Sequence, residues 1–213
     1  MSDISTSNEQ DARNLLLNAA RVLFSQKGFE GTSTRDIARE SGLNISLISY
    51  YFGGKEGLYK QLFMNFGLRI AEVIDQTLLS FQNLEMSEKN FVEEIRLIIT
   101  MFIDLHEENK DMANLIWREK LEGMHHSKEL QDQIFLPIGN KMSEFIDQAQ
   151  RKGIVSKKIH PKMFFVAMIE GLMGYLRALE CDANLRSTCP GMPENKSEIA
   201  NQFTLIFTQG ILK

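Results

Sequence analysis

Apolar residues along this chain recur almost everywhere with the period of a helix. Leu16, Ala19, Ala20, Leu23 and Phe24 follow the i, i+3, i+4, i+7, i+8 rule that puts one side of a helix against a core. A long amphipathic run begins near Lys55, with Tyr59, Leu62, Phe63, Phe66, Ile70 and Val73 on its inner side to about residue 82. Ser87-Glu88 restarts the chain, and Phe91, Ile95, Ile98, Ile99, Phe102 and Leu105 define the next helix. A short helix is predicted at about 111–121 around Leu115, Ile116 and Trp117, then a break at 123–127. Ile134, Ile138, Met142, Phe145 and Ile146 mark a helix over about 128–152. Pro137 falls inside that pattern and predicts a kink, because the carbonyl of Gln133 loses its donor. Gly153 ends this helix, Pro161 opens another that runs to about residue 180, and Asn195 caps a last one after the loop at 181–194. No strand period, internal repeat or low-complexity segment interrupts the series. The expectation is an all-α fold of about nine helices.

Between the first two long helices lies a denser pattern. Ser33 and Asp36 have the spacing of a capping box. Ile37 and Ala38 give that short helix a narrow buried side. Gly42 follows its last turn, where a left-handed backbone suits glycine. Asn44 can cap a second short helix over about 45–51, too short to stand alone and held by Ile48 and Phe52. Gly53-Gly54 then breaks the chain before Lys55. Two short helices joined by a glycine turn make a helix-turn-helix, whose second helix reads the major groove of DNA.

Over about residues 12–63 the chain resembles the DNA-binding domain of the TetR family of bacterial regulators. The resemblance is carried by Phe24-Ser25-Gln26-Lys27-Gly28-Phe29, Thr32-Ser33, Ile37-Ala38, Gly42-Leu43, Ile48, Tyr51-Phe52 and Lys55-Glu56-Gly57-Leu58. It implies a homodimeric, ligand-responsive transcription regulator, and by analogy with most members a repressor. Where many members carry tyrosine this chain has Ser49, and Ile45 is apolar at a position often polar in relatives. The corresponding division is an N-terminal three-helix DNA-binding domain over 1–54 and a C-terminal ligand-binding and dimerisation domain over 55–213.

Charge supports the division. Residues 13–60 hold seven Lys/Arg against four Asp/Glu, a balance of +3, within a chain of net charge −4. The remainder therefore carries −7. A DNA-facing module on an acidic body has this asymmetry, and the mildness of it predicts weak, salt-sensitive non-specific affinity. Within each half-site Arg35 can reach a guanine edge, Ile45 a thymine methyl, and Ser49 either a donor or an acceptor. Ser46 and Tyr50 lie within reach of bases or phosphates. Thr32, Ser33, Tyr51 and Lys55 suit phosphate positioning. Two copies related by a two-fold axis would read a palindromic operator in double-stranded DNA.

The last two helices carry the dimer expectation. From Met163 to Leu176 only Glu170 is charged, and Ala167, Gly171, Gly174 and Ala178 form a stripe of small residues. Phe203, Ile206 and Phe207 stand on the last helix. Two such faces predict a four-helix interface between copies. Candidate walls of an effector pocket are Met101, Phe102, Leu105, Met112, Trp117, Phe135, Met142, Phe145, Phe164 and Met168, with Arg118 and Glu170 as polar anchors. The effector expected is a small apolar or amphipathic molecule.

Several classes are excluded. No apolar run reaches the ~18 residues of a membrane span, and 1–10 lacks the apolar core of a signal sequence, which predicts a cytoplasmic protein without membrane association. Cys181 and Cys189 are then expected as free thiols. His125-His126 has no third ligand at a suitable spacing, so neither metal nor cofactor is expected. No catalytic triad, carboxylate pair or nucleotide loop is present, and an enzyme is not expected. The competing reading is a helical small-molecule-binding or scaffold protein without DNA function, which would show no salt-dependent DNA affinity.

Overall fold

The computed structural model describes residues 2–81, 85–181 and 189–209. Among these, all regular structure is helical. In chain order the helices are α1 (Ser2–Lys27), α2 (Thr34–Ser41), α3 (Ser46–Phe52), α4 (Lys55–Phe81), α5 (Glu88–Glu108) and α6 (Lys110–Leu121). Next come α7, α8 (Pro161–Cys181) and α9 (Lys196–Gln209). Helix α7 opens as Lys128–Leu130, passes through a π turn at Gln131–Phe135, and continues as Leu136–Arg151. The kink expected at Pro137 thus takes a definite form. Proline sits in the first turn of the main segment, where a missing N–H costs least, and the preceding turn widens to absorb it.

Contacts divide the chain into two compact units. The first holds residues up to Arg69 together with Asn109–Ile134; the second holds Ile70–Glu108 and the chain from Phe135 onward.

In the first unit, Leu16, Ala20 and Phe24 of α1 are fully buried with Ile37, Ile48, Leu58 and Leu115. An aromatic cluster knits the unit: the ring of Tyr59 meets Phe24 at 4.8 Å, Phe29 at 4.9 Å and Phe63 at 4.9 Å. The one acid that is buried among its described residues is satisfied. Glu119 accepts from the Tyr59 hydroxyl at 2.9 Å and from the Ser127 hydroxyl at 2.8 Å. Burial, and then the bond to Glu119, push the Tyr59 phenol well above its usual range.

In the second unit, α9 packs most extensively on α5, and α7 on α8. Phe91 and Phe145 stack at 5.3 Å, and Phe102 lies 6.5 Å from Phe165. The Gln150 side chain closes the α7–α8 connection by donating to the carbonyls of Ser156 at 2.9 Å and Ile159 at 2.7 Å. Asn195 caps α9 through a 2.9 Å bond from the Glu198 N–H. Lys196 pairs with Asp104, and Lys141 with Asp75. Cys181 and Cys189 are free and exposed.

Candidate nucleic-acid interface

Helix α2 begins with a complete capping box. Ser33 Oγ accepts from the Asp36 N–H at 3.1 Å, and Asp36 accepts from the Ser33 N–H at 3.3 Å and the Ser33 hydroxyl at 2.6 Å. These bonds, with the cation of Arg39 at 2.7 Å, hold the Asp36 carboxyl below its usual range. Arg39 therefore takes the acid that Arg35 could have paired with, and Arg35 is exposed and unpaired among the described residues. The chain turns at Gly42, whose φ of 69° is the left-handed region, with the Leu43 N–H returning to the Ala38 carbonyl at 3.2 Å.

Asn44 starts α3 as its sequence position predicts. Its Oδ1 accepts from the Ser46 N–H at 2.9 Å and the Ser46 hydroxyl at 2.8 Å. Ile48 alone on α3 is fully buried, anchoring the helix. Ile45, Ser46, Ser49 and Tyr50 are exposed, Tyr50 at 73%. Four candidate base or phosphate contacts thus share the outer side of one capped helix. Tyr51 is half-buried, its ring 5.0 Å from that of Tyr50, with the Arg13 guanidinium 5.7 Å from its centroid and 5.1 Å from that of Phe52. Gly57 permits the next close approach. A Cβ there would lie 1.7 Å from the Phe52 carbonyl oxygen, so only glycine lets α4 start directly beneath the end of α3.

Two phosphate candidates sit differently from expectation. The Thr32 hydroxyl is buried and donates to the carbonyls of Leu23 at 3.2 Å and Gly28 at 2.9 Å. Its side chain ties the α1–α2 turn to α1 and is not presented to solvent. Lys55 is half-buried, donates to the Phe29 carbonyl at 2.9 Å, and lies 4.1 Å from the Phe29 ring centroid. An ammonium has three donors, so one such bond leaves capacity for an anion. His126 stacks on Phe29 at 4.1 Å, while His125 is exposed.

The other candidates divide between the units. Trp117 and Arg118 belong to the first, where Arg118 donates to the Gln26 carbonyl at 3.4 Å. Met101, Phe102, Leu105, Met142, Phe145, Phe164 and Met168 are buried in the second, Phe135 is half-buried, and Glu170 is exposed. On α8, Ala167 and Gly171 are exposed and Gly174 and Ala178 half-buried; Met163 and Val166 are exposed beside them. On α9, Ile206 is exposed at 63% and Phe207 is half-buried. Phe203 departs from the interface expectation. It is 9% exposed, stacks with Phe207 at 6.2 Å, and lies 3.8 Å from where a Cβ on Gly171 would be. It is buried within its own chain against α8, where its ring lies 5.6 Å from that of Tyr175.

Sequence reasoning passed over Glu94. It is 5% exposed on the inner side of α5, and burial pushes its carboxyl up to about 7. The signal was present: Glu94 falls between Phe91 and Ile98 on the apolar stripe, at spacings of three and four.

Residues 16–62 match the family described as bacterial regulatory proteins, tetR family. The probable HTH-type transcriptional regulator YttP of Bacillus subtilis is 28% identical over 104 residues, which span 49% of this chain and 48% of that protein. The chain thus aligns with about half the length of that relative. The HTH-type transcriptional regulator UidR of Escherichia coli is 24% identical over 85% of this chain and 88% of its own. Among solved structures, the hemolysin II transcriptional regulator HlyIIR superposes with a TM-score of 0.64 at 20% identity, covering 94% of this chain and 99% of that one. Over residues 16–62, which hold the helix-turn-helix, the chain matches the tetR family of bacterial regulatory proteins, and beyond them it shares the fold of HlyIIR.

Proposed function

We propose that the chain is a ligand-responsive transcriptional repressor that binds a palindromic operator as a homodimer in the cytoplasm and leaves it when a small apolar or amphipathic effector binds. The observation that carries the reading is the outer side of α3. A seven-residue helix capped by Asn44 and anchored by Ile48 leaves Ile45, Ser46, Ser49 and Tyr50 in solvent, with Arg35 of α2 exposed and unpaired.

One such helix spans few base pairs. Two, placed about one DNA turn apart (~34–36 Å), read both halves of a palindrome. The exposed Met163, Val166, Ala167 and Gly171 of α8, with Leu205 and Ile206 of α9, supply an apolar surface for the second copy. Gly174 meets no atom within 4 Å of its would-be Cβ, which leaves room for a partner backbone. The buried apolar residues of the second unit offer the effector its site. Helix α4, common to both units, carries the response. An effector shifts operator occupancy tenfold with ~1.4 kcal/mol of preference between the two states.

A footprint on the intergenic DNA upstream of the coding gene tests the reading. Protection of a palindrome supports it. No salt-dependent retardation of any fragment would favour the ligand-binding or scaffold alternative.

A further inference from the structure

The second unit keeps an acid inside that its own fold does not answer. Glu94 of α5 is 5% exposed and has neither a hydrogen bond nor an ion pair among the described residues. Phe91, Glu94, Ile98, Met101 and Leu105 recur at spacings of three and four, so they form one stripe along the helix. The four apolar members are buried. Phe91 stacks on Phe145 of α7 at 5.3 Å, and Met101 meets the Thr77 hydroxyl of α4 at 3.7 Å. The carboxyl therefore stands on the side of α5 that faces α4 and α7.

Cations of the same unit are committed elsewhere. Arg96 donates twice to Glu93, Lys141 pairs with Asp75, and Lys196 pairs with Asp104. Glu119 of the first unit shows what a satisfied buried acid looks like, with two hydroxyls donating to it. Glu94 has no such donors, and burial alone pushes its carboxyl up to about 7. An ionised carboxylate only accepts, and holding it out of water without a donor is costly. An apolar side chain would suit the stripe better. What completes the position is a positively charged N–H donor that arrives with apolar surface of its own. Glu170, expected from the sequence as an acidic anchor, is exposed instead.

We infer that Glu94 is the polar anchor of the effector site and that the effector is a cationic amine on an apolar body. The inference rests on the reading that an effector binds within the second unit. The ammonium donates to the Glu94 oxygens, and the apolar body lies along the stripe of Ile98, Met101 and Leu105. A neutral molecule of the same shape gains only the second contact. Charge on the head thus selects among molecules of equal apolar area.

Calorimetric titration of the full chain tests this without DNA. Decylammonium and decanol are the probes, alike in chain and different in the charge of the head. Titration at pH 8 keeps Glu94 mostly ionised, since its carboxyl titrates at about 7. The expected result is saturable binding of one decylammonium per chain, tenfold or more tighter than decanol. In Glu94→Gln that preference should disappear while decanol binds as in wild type, which also shows that the variant is folded. Glu107→Gln removes an equal charge at an exposed position of the same helix and should keep the preference. Decylammonium bound no more tightly than decanol, or a preference that survives Glu94→Gln, would overturn the anchor and leave an effector site in the second unit standing. Binding of neither probe would overturn both.

Discussion

At the scale of single residues, the second unit hides an ionisable group whose cost can be read by pH. Glu94 has its carboxyl pushed from 4.5 up to about 7 by burial. Between those values the unfolded chain releases the proton and the folded chain keeps it. Stability from this group is therefore fully present at pH below about 4.5 and falls as pH rises to about 7. Allowing for solvent screening, the effect is on the order of 1 kcal/mol. Glu94→Gln should raise stability at pH 8 by about that amount and flatten the slope between pH 5 and 7, as urea unfolding at several pH values would show. A variant with the wild-type slope would contradict the assignment. Tyr59 and Glu119 make the opposite case, a buried acid that is satisfied. Tyr59→Phe removes one of its two hydroxyl donors and should destabilise the fold by about 1–3 kcal/mol.

Elements were legible where their signals are local. The capping box of Ser33 and Asp36, the turn at Gly42, and the caps of Asn44 and Asn195 each involve partners within a few residues, and all form as their spacing predicts. Signals failed where the partner comes from elsewhere in the chain. Thr32 looks like a phosphate ligand until the fold brings the Leu23 carbonyl to its hydroxyl, and Phe203 looks like an interface residue until the fold buries it against Tyr175 of α8. Pro137 was legible as a disturbance, but whether a helix kinks or widens depends on its packing, and here a π turn forms. Two substitutions test elements separately. Ser33→Ala should cost about 1 kcal/mol through lost capping of α2. Gly57→Ala should cost more, because its Cβ would meet the Phe52 carbonyl at 1.7 Å and α3 or α4 must move. Thermal melts rank the two, and an unchanged melting point for Gly57→Ala would mean that this junction is not as tight as described.

For the whole molecule, the resemblance in the first third of the sequence anticipated the family match over residues 16–62 and the helical fold of the described residues. The effector stayed illegible, since apolar pocket walls and apolar core have the same sequence pattern. Arg118 shows the difficulty: proposed as an anchor beside Trp117, it braces the end of α1 through the Gln26 carbonyl. The proposed pairing surface is easier to test. Ile206→Glu should place a charge on the exposed side of α9, convert a dimer to a monomer in sedimentation, and weaken operator binding together with it. An Ile206→Glu protein that remains dimeric would move the interface elsewhere.

The most direct test of the account is a footprint of wild type, Ser49→Ala and Lys55→Ala on the upstream intergenic DNA, read over a series of salt concentrations. The account predicts a protected palindrome for wild type. Ser49→Ala should lose preference at particular positions, and Lys55→Ala should weaken binding to all sequences alike with a shallower salt slope. Protection that neither substitution changes, or none at any salt concentration, would contradict the claim that α3 reads DNA.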